Sequence, residues 1–166
     1  MDFILRPWER EDAPSLARYA DNEKIGRNLR DGFPYPYRLE DAETFIASAC
    51  EDAAQIMRAI VVCGEAVGGI GVHRRKNVYR RTGEIGYWLG EPFWGRGIVS
   101  RAAAQLCREV FETTDMVRIE AGVFAFNGAS ARVLEKAGFT LEGRLRKSVF
   151  KNGEMHDSLL FALIKP

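Results

Sequence analysis

Three residues, Gly95-Arg96-Gly97, stand between a β-branched and aromatic run, Glu84 to Leu89, and an apolar stripe spaced by four, Ile98, Ala102, Leu106 and Val110. The run has strand chemistry. Pro92 ends it, because proline donates no ladder hydrogen bond, and the stripe reads as one face of a helix. Strand, glycine turn and helix start together make an anion site. The first-turn N–H groups lack partners, and the macrodipole adds positive potential there. Glycine suits the turn because a Cβ would hold a phosphate off the backbone. The stretch Gly83–Arg101 therefore reads as the holder of a phosphorylated ligand.

The elements that must position this turn can be taken along the chain. Phe3 to Trp8 is a short strand stopped at Pro7, and Glu11 to Tyr19 a helix with acids in its first turn. Ile25 to Pro36 is irregular, and the run Phe33-Pro34-Tyr35-Pro36-Tyr37 sets three aromatics on a proline-stiffened loop. That loop is either packing that seals a core edge or one wall of a ligand pocket. Leu39 to Ala54 resumes helix, with Ala42, Phe45, Ile46 and Ala49 on one face. Strands Ile56–Val62 and Ala66–His73 flank the two-residue hairpin signal Gly64-Glu65. A loop with Arg74, Arg75, Lys76, Arg80 and Arg81 follows, either a solvated face or an electrostatic lure for an acidic ligand.

Beyond the long helix, Val117–Phe124 is a strand and Asn127–Ala137 a helix, capped by Asn127 and stopped at Gly138. Thr140–Arg146 and Met155–Ile164 are strands around Asn152-Gly153, a strong hairpin signal. The order predicts an α/β (α+β) chain: a mixed sheet with helices on its faces.

Composition bounds the rest. A chain of 166 residues reads as a single domain over 1–166 that buries roughly two-thirds of its unfolded surface. Lys plus Arg, 24, balance Asp plus Glu, 23, so net charge alone argues neither for nor against a polyanionic partner; no direct nucleic-acid contact is expected. Cys50, Cys63 and Cys107 are odd in number and widely spaced, so they read as small core residues in a reducing compartment, with no zinc or other metal site. No apolar run approaches the roughly 20 residues of a membrane span. The N-terminus carries Asp2 and alternation rather than a signal peptide. A cytoplasmic location without membrane attachment is expected.

Gly83–Arg101, followed by Asn127-Gly-Ala-Ser130 and then Leu134-Glu-Lys-Ala-Gly-Phe139, resembles the GNAT superfamily of acetyl-CoA-dependent N-acetyltransferases. The branch most resembled holds the ribosomal-protein N-terminal and spermidine acetyltransferases. The likeness extends to an opening Leu5-Arg6-Pro7-Trp8 and a closing Glu142-Gly143-Arg144-Leu145-Arg146. It implies a mostly antiparallel sheet splayed at a parallel strand pair, with helices on both faces. The superfamily's phosphate pattern, Gln/Arg-x-x-Gly-x-Gly/Ala, aligns with Trp94 to Val99; Trp94 replaces the polar residue and Val99 the small one. By that likeness Gly95, Arg96, Gly97, Val99 and Ser100 hold the pyrophosphate of acetyl-CoA. Tyr87, Trp88 and Leu89 pair their backbone with pantetheine as another strand edge would, and Asn127 reaches the arm near the thioester.

Acetyl transfer to an amine has its own needs. An alkylamine is mostly charged at neutral pH and must lose a proton before attack, and a donor should meet the departing thiolate. The superfamily's usual acid, a tyrosine, is replaced by Leu134; the resemblance offers Ser130 instead, although a first-turn helix serine needs no such role. Glu84 is the first choice of base, on one strand face with Gly86 and Trp88. A salt-bridged strand residue is its other reading. Glu120, Glu142, Asp157, His73 and His156 are further candidates.

The substrate walls expected are the Asn28–Tyr37 loop, with Asn28, Phe33, Tyr35 and Tyr37, and the Lys147–Asp157 hairpin. A protein N-terminus, a polyamine and an amino sugar all stay open as acceptors, and a homodimer is left open. Two other classes compete. Gly95-x-Gly97-x-x-Ser100 half-matches a dinucleotide-binding oxidoreductase fingerprint, and the missing tyrosine suits a non-catalytic acyl-CoA-binding or interaction module.

Overall fold

The computed structural model describes residues 1–52 and 54–166. Along the chain come β1 (Ile4–Arg6), α1 (Ala13–Ala20), α2 (Glu23–Gly26), α3 (Leu39–Glu51), β2 (Gln55–Val62), β3 (Glu65–Arg74) and β4 (Thr82–Leu89). Then follow α4 (Ile98–Thr113), β5 (Arg118–Phe124), α5 (Gly128–Lys136), β6 (Thr140–Lys151) and β7 (Glu154–Ile164). The strands form one sheet in the order β1-β2-β3-β4-β5-β7-β6. It is antiparallel throughout except at β4–β5, the parallel pair among the described residues. The doubly wound parallel sheet that a dinucleotide site requires does not form.

Two apolar layers sandwich the sheet. The stripe Ile98, Ala102, Leu106 and Val110 is buried as its spacing demands, packing α4 with Leu134 of α5 against Ile70, Ile85, Leu89 and Ile119. On the other face Leu16 of α1 and Ala42 and Ile46 of α3 cover Trp8, Ala59 and Val61. Side chains of β4 therefore alternate, Ile85, Tyr87 and Leu89 to the α4 side and Trp88 to the α1–α3 side.

The feature that builds the site is the brevity of the parallel pairing. Thr82↔Arg118, Gly83↔Ile119 and Glu84↔Glu120 are in register, and then β4 and β5 part. Below the parting the packing is tight: a Cβ on Gly83 would lie 2.5 Å from Val72 and 2.9 Å from Met116. Above it the strands run on to Leu89 and Phe124 without ladder pairing to each other among the described residues.

Local expectations shift in several places. The β2–β3 turn is Cys63-Gly64, at φ 50° and 83°, rather than Gly64-Glu65. A two-residue primed turn needs positive φ at both positions, and Glu65 pairs with Val62 instead. Cys63 is thus exposed, as is Cys50, and Cys107 alone of the three is a core residue; burial pushes its thiol up to about 12. The helix expected over Leu39–Ala54 ends at Glu51, where Asp52 turns extended; Ala53 lies outside the described residues. The irregular segment from Ile25 opens on α2, whose cap Asn22 accepts from the Lys24 amide at 2.9 Å. β6 continues past Arg146 to Lys151 through an irregularity, with Lys147 at φ 49°.

The basic loop is tied down. Arg74 reaches Asp115 at 2.6 Å, while Arg75 lies 3.2 Å from Glu84 and 2.8 Å from Glu120. The Arg74 hydrogen bond lowers the Asp115 pKa. Three of its five cations have carboxylates within the fold, Arg81 sharing Asp115, which leaves little of a lure.

Candidate active site

A cavity of about 810 Å³ opens where β4 and β5 separate, within the range of small-molecule sites. Its wall includes Tyr87 and Trp88 from β4, Gly122 and Val123 from β5, the glycine turn, the first turn of α5 and the tip of the β6–β7 hairpin. Because Tyr87 belongs to the α4 layer and Trp88 to the α1–α3 layer, the cavity reaches both faces of the sheet through the gap.

The glycine turn stands at one end. Gly95 and Gly97 adopt φ 74° and 68°, a conformation that L side chains rarely take. A Cβ on Gly95 would meet nothing within 4 Å, and on Gly97 only Ser100 Oγ at 3.9 Å. Glycine is present for backbone shape and for an open approach from the cavity, not for internal clearance. The amides of Gly95 to Ser100 have no acceptor among the described residues, and the first helical bond is from Arg101 N to Gly97 O at 3.3 Å. Gly95, Arg96, Gly97, Val99 and Ser100 all lie on the cavity wall. Trp94, which departs from the phosphate pattern, serves the turn differently. Its indole Nε1 donates to Leu89 O at 2.7 Å and pins the strand end to the turn.

Midway along the cavity the Tyr87 hydroxyl lies 2.6 Å from Ser130 Oγ. Burial pushes the phenol up to about 12, against a smaller opposing effect of the Ser130 bond, so it stays protonated and able to donate. Asn127 Oδ1 accepts the Ser130 amide at 3.2 Å, which fixes the start of α5 and orients Ser130. From sequence Tyr87 is expected to act through its backbone alone. The signal for its side chain was the period-two alternation, which puts Tyr87 on the face of Ile85 and Leu89, toward α5.

Glu84 does not line the cavity. Its carboxylate accepts from Arg30 and, at 3.2 Å, from Arg75. It begins a row of alternating charges in which Arg75 also meets Glu120, and Arg118 meets both Glu120 and Glu142. Hydrogen bonding from Arg118 lowers the Glu142 pKa. Asp157 is held by the Lys147 amide and Arg144, which lower its pKa. Of the residues considered as base, His156 is on the cavity wall, edge-on to Phe126 at 4.7 Å between ring centroids.

The aromatic loop is packing, a correction to its reading as a substrate wall. Phe33, Tyr35 and Tyr37 are not on the cavity wall. Tyr37 is buried in the α1–α3 layer, Phe33 stacks on it at 5.0 Å and backs Trp88 at 5.9 Å, and Tyr35 is exposed. The prolines fold the segment back onto that layer. Asn28 and Leu29 do line the cavity, and opposite them Lys151, Asn152, Glu154 and His156 supply the expected hairpin wall.

Comparison with known proteins agrees with this geometry. Ribosomal-protein-serine acetyltransferase of Escherichia coli K12 is 34% identical over 100 residues, 60% of this chain and 55% of that protein. Spermidine N(1)-acetyltransferase of the same organism is 24% identical over 164 residues, 97% of this chain and 85% of that protein. Mycobacterium smegmatis RimJ, solved in complex with CoA-disulfide, superposes with a TM-score of 0.87 at 26% identity, covering 98% of this chain and 81% of that one. The chain spans 48% to 62% of the length of the curated relatives it matches first. Residues 2–140 match the acetyltransferase (GNAT) domain family. With a sheet splayed at β4–β5, a glycine turn opening α4 and that match over most of its length, the chain belongs to the GNAT acetyltransferase family.

Proposed function

We propose that this protein transfers an acetyl group from acetyl-CoA to a primary amine by direct attack, with both substrates in the cavity at once, in the cytoplasm. One observation carries the reading. Unpartnered amides at the start of α4 and the Tyr87–Ser130 hydroxyl pair line a single cavity of sufficient volume. The Gly95–Ser100 amides fit a diphosphate, adding the partial positive charge of the α4 N-terminus. The open edges of β4 and β5 fit the amides of the pantetheine arm.

Acetyl-CoA supplies an activated acetyl thioester whose departing group is a thiolate. Within the Tyr87–Ser130 pair one hydroxyl proton is used between the two oxygens, and the other remains to donate to developing negative charge. His156, the base candidate that lines the cavity, takes the proton of the incoming amine. Glu84 stays in its ion pairs and holds the base of the splay. Release of free thiol from acetyl-CoA, followed across a panel of primary amines, tests the reading. No acceptor-dependent thiol with any amine, while coenzyme A still binds, would mean a binding module instead.

A further inference from the structure

Lys151 is the buried cation of the cavity. Its side chain is 10% exposed, on β6 just before the Asn152-Gly153 turn, and its Nζ meets Asp31 Oδ1 at 2.9 Å. That partner is 88% exposed. A solvated carboxylate is a weak counter-ion, while an enclosed ammonium needs a strong one. Charge along the wall repeats the imbalance. Lys24, Arg27, Arg96, Arg132, Lys136 and Lys151 line the cavity, and Glu154 is the one carboxylate there among the described residues. Arg96, Arg132 and Lys136 lie on the glycine-turn and α5 side, where a phosphorylated cofactor brings its own negative charge. Lys24 is engaged by Glu91, but Arg27 has no carboxylate partner among the described residues. Arg27 and Lys151 are thus the remaining cations of the wall, on the side of Asn28, Leu29 and the hairpin.

We propose that Lys151 is a specificity-determining anion anchor, and that the acceptor is a primary amine carrying a carboxylate or phosphate close to the amino group. This rests on the acetyl-transfer reading for the word acceptor, but not for the binding it predicts. An incoming anion, itself shielded from water, replaces Asp31 on the ammonium, with Arg27 in support. A polyamine meets the opposite conditions: several cationic sites against a wall with one carboxylate.

Equilibrium binding to the coenzyme A-loaded protein tests this with matched probes: Ser-Asp against Ser-Asn peptide amides for the carboxylate, and phosphoserine amide against serine amide for the phosphate. At least one anionic probe is expected to bind about tenfold or more tightly than its neutral twin. Lys151→Met removes that advantage and Lys151→Arg keeps most of it. Asp31→Asn, which strips the competing carboxylate without touching the cavity wall, tightens anion binding several-fold. Equal binding of both twin pairs, an advantage that survives Lys151→Met in a folded variant, or no gain in Asp31→Asn would each overturn the proposal. Thiol release separates the two readings. Anion selectivity without acetyl transfer sinks the enzyme and keeps the anchor; transfer to all probes alike with twins bound equally does the reverse.

Discussion

Replacing Ser130 by alanine removes one half of a pair whose other half cannot easily find a new partner. The Tyr87 hydroxyl sits 2.6 Å from Ser130 Oγ, and its next acceptor, the Ser130 carbonyl, is 3.4 Å away. The phenol is part-buried on the cavity wall and keeps that carbonyl, so losing the shorter bond costs about 1 kcal/mol, a fall in Tm of about 2–4 °C for a chain of this size. Tyr87→Phe keeps the ring and leaves a half-buried serine able to turn to water, so it costs about 1 kcal/mol. On the proposed mechanism either change breaks the hydroxyl pair that orients the donor toward the departing thiolate, and kcat should fall about 100-fold. The double variant should be no slower than the slower single one, because the two hydroxyls act as a unit. Thiol release at saturating acetyl-CoA, below the melting temperature of each variant, measures this. Since burial raises the phenol from 10 to about 12, the donor remains protonated across the working pH range, and any alkaline limb near 10 belongs to another group. A folded Ser130→Ala variant with undiminished kcat, or losses that multiply in the double variant, would refute the reasoning.

Other perturbations discriminate elsewhere. Gly97→Glu puts a carboxylate at the amides of the turn and should abolish coenzyme A binding by calorimetry, whereas Gly97→Ala carries only left-handed strain of about 1–2 kcal/mol and should still bind. Asp12 accepts from Arg6 at 2.7 and 2.8 Å and from the Glu9 amide at 2.9 Å. Burial alone would raise its pKa, but these bonds together lower it from 3.8. Its stabilisation is therefore full above that value and lost as pH falls through the lower native one, and Asp12→Asn should cost about 3 kcal/mol in urea unfolding at neutral pH. Gly68→Ala would bring a Cβ within 2.6 Å of the Trp88 carbonyl and 3.1 Å of Leu89 Cα. Backbone must shift, so about 1–3 kcal/mol of stability is lost in urea unfolding, whereas Ala at the exposed Gly153 turn meets no neighbour within 4 Å and carries left-handed strain alone.

The glycine-turn end of the cavity is legible in sequence because its geometry is local. A strand, two glycines at positive φ and a helix stripe need only near neighbours, and all stand where the residues put them. The hairpin end of the cavity depends on segments far apart in sequence. Lys151 meets Asp31 across 120 positions, and Glu84 meets Arg30 across 54, so neither partner could be read from spacing. Glu84 shows this: its strand face follows from spacing, and of its two readings the salt-bridged one matches the two arginines that claim its carboxylate from elsewhere. The aromatic loop failed differently. Proline stiffness was read correctly, but which way a stiff loop leans is set by the apolar layer it joins, here the one holding Tyr37 and Phe33.

Only three residue pairs join β4 to β5. Strands β1 to β4 and strands β5 to β7 are thus joined by a short ladder, and α4 packs on both. Such halves can breathe separately. Anything threaded along both open edges would bind them into one cooperative body, adding about 2.7 kcal/mol at a hundredfold excess over its dissociation constant. Amide exchange in Ile85–Leu89 and in Ala121–Phe124 should then slow together on adding coenzyme A, while β1 and the outer strand β6 keep their own separate rates.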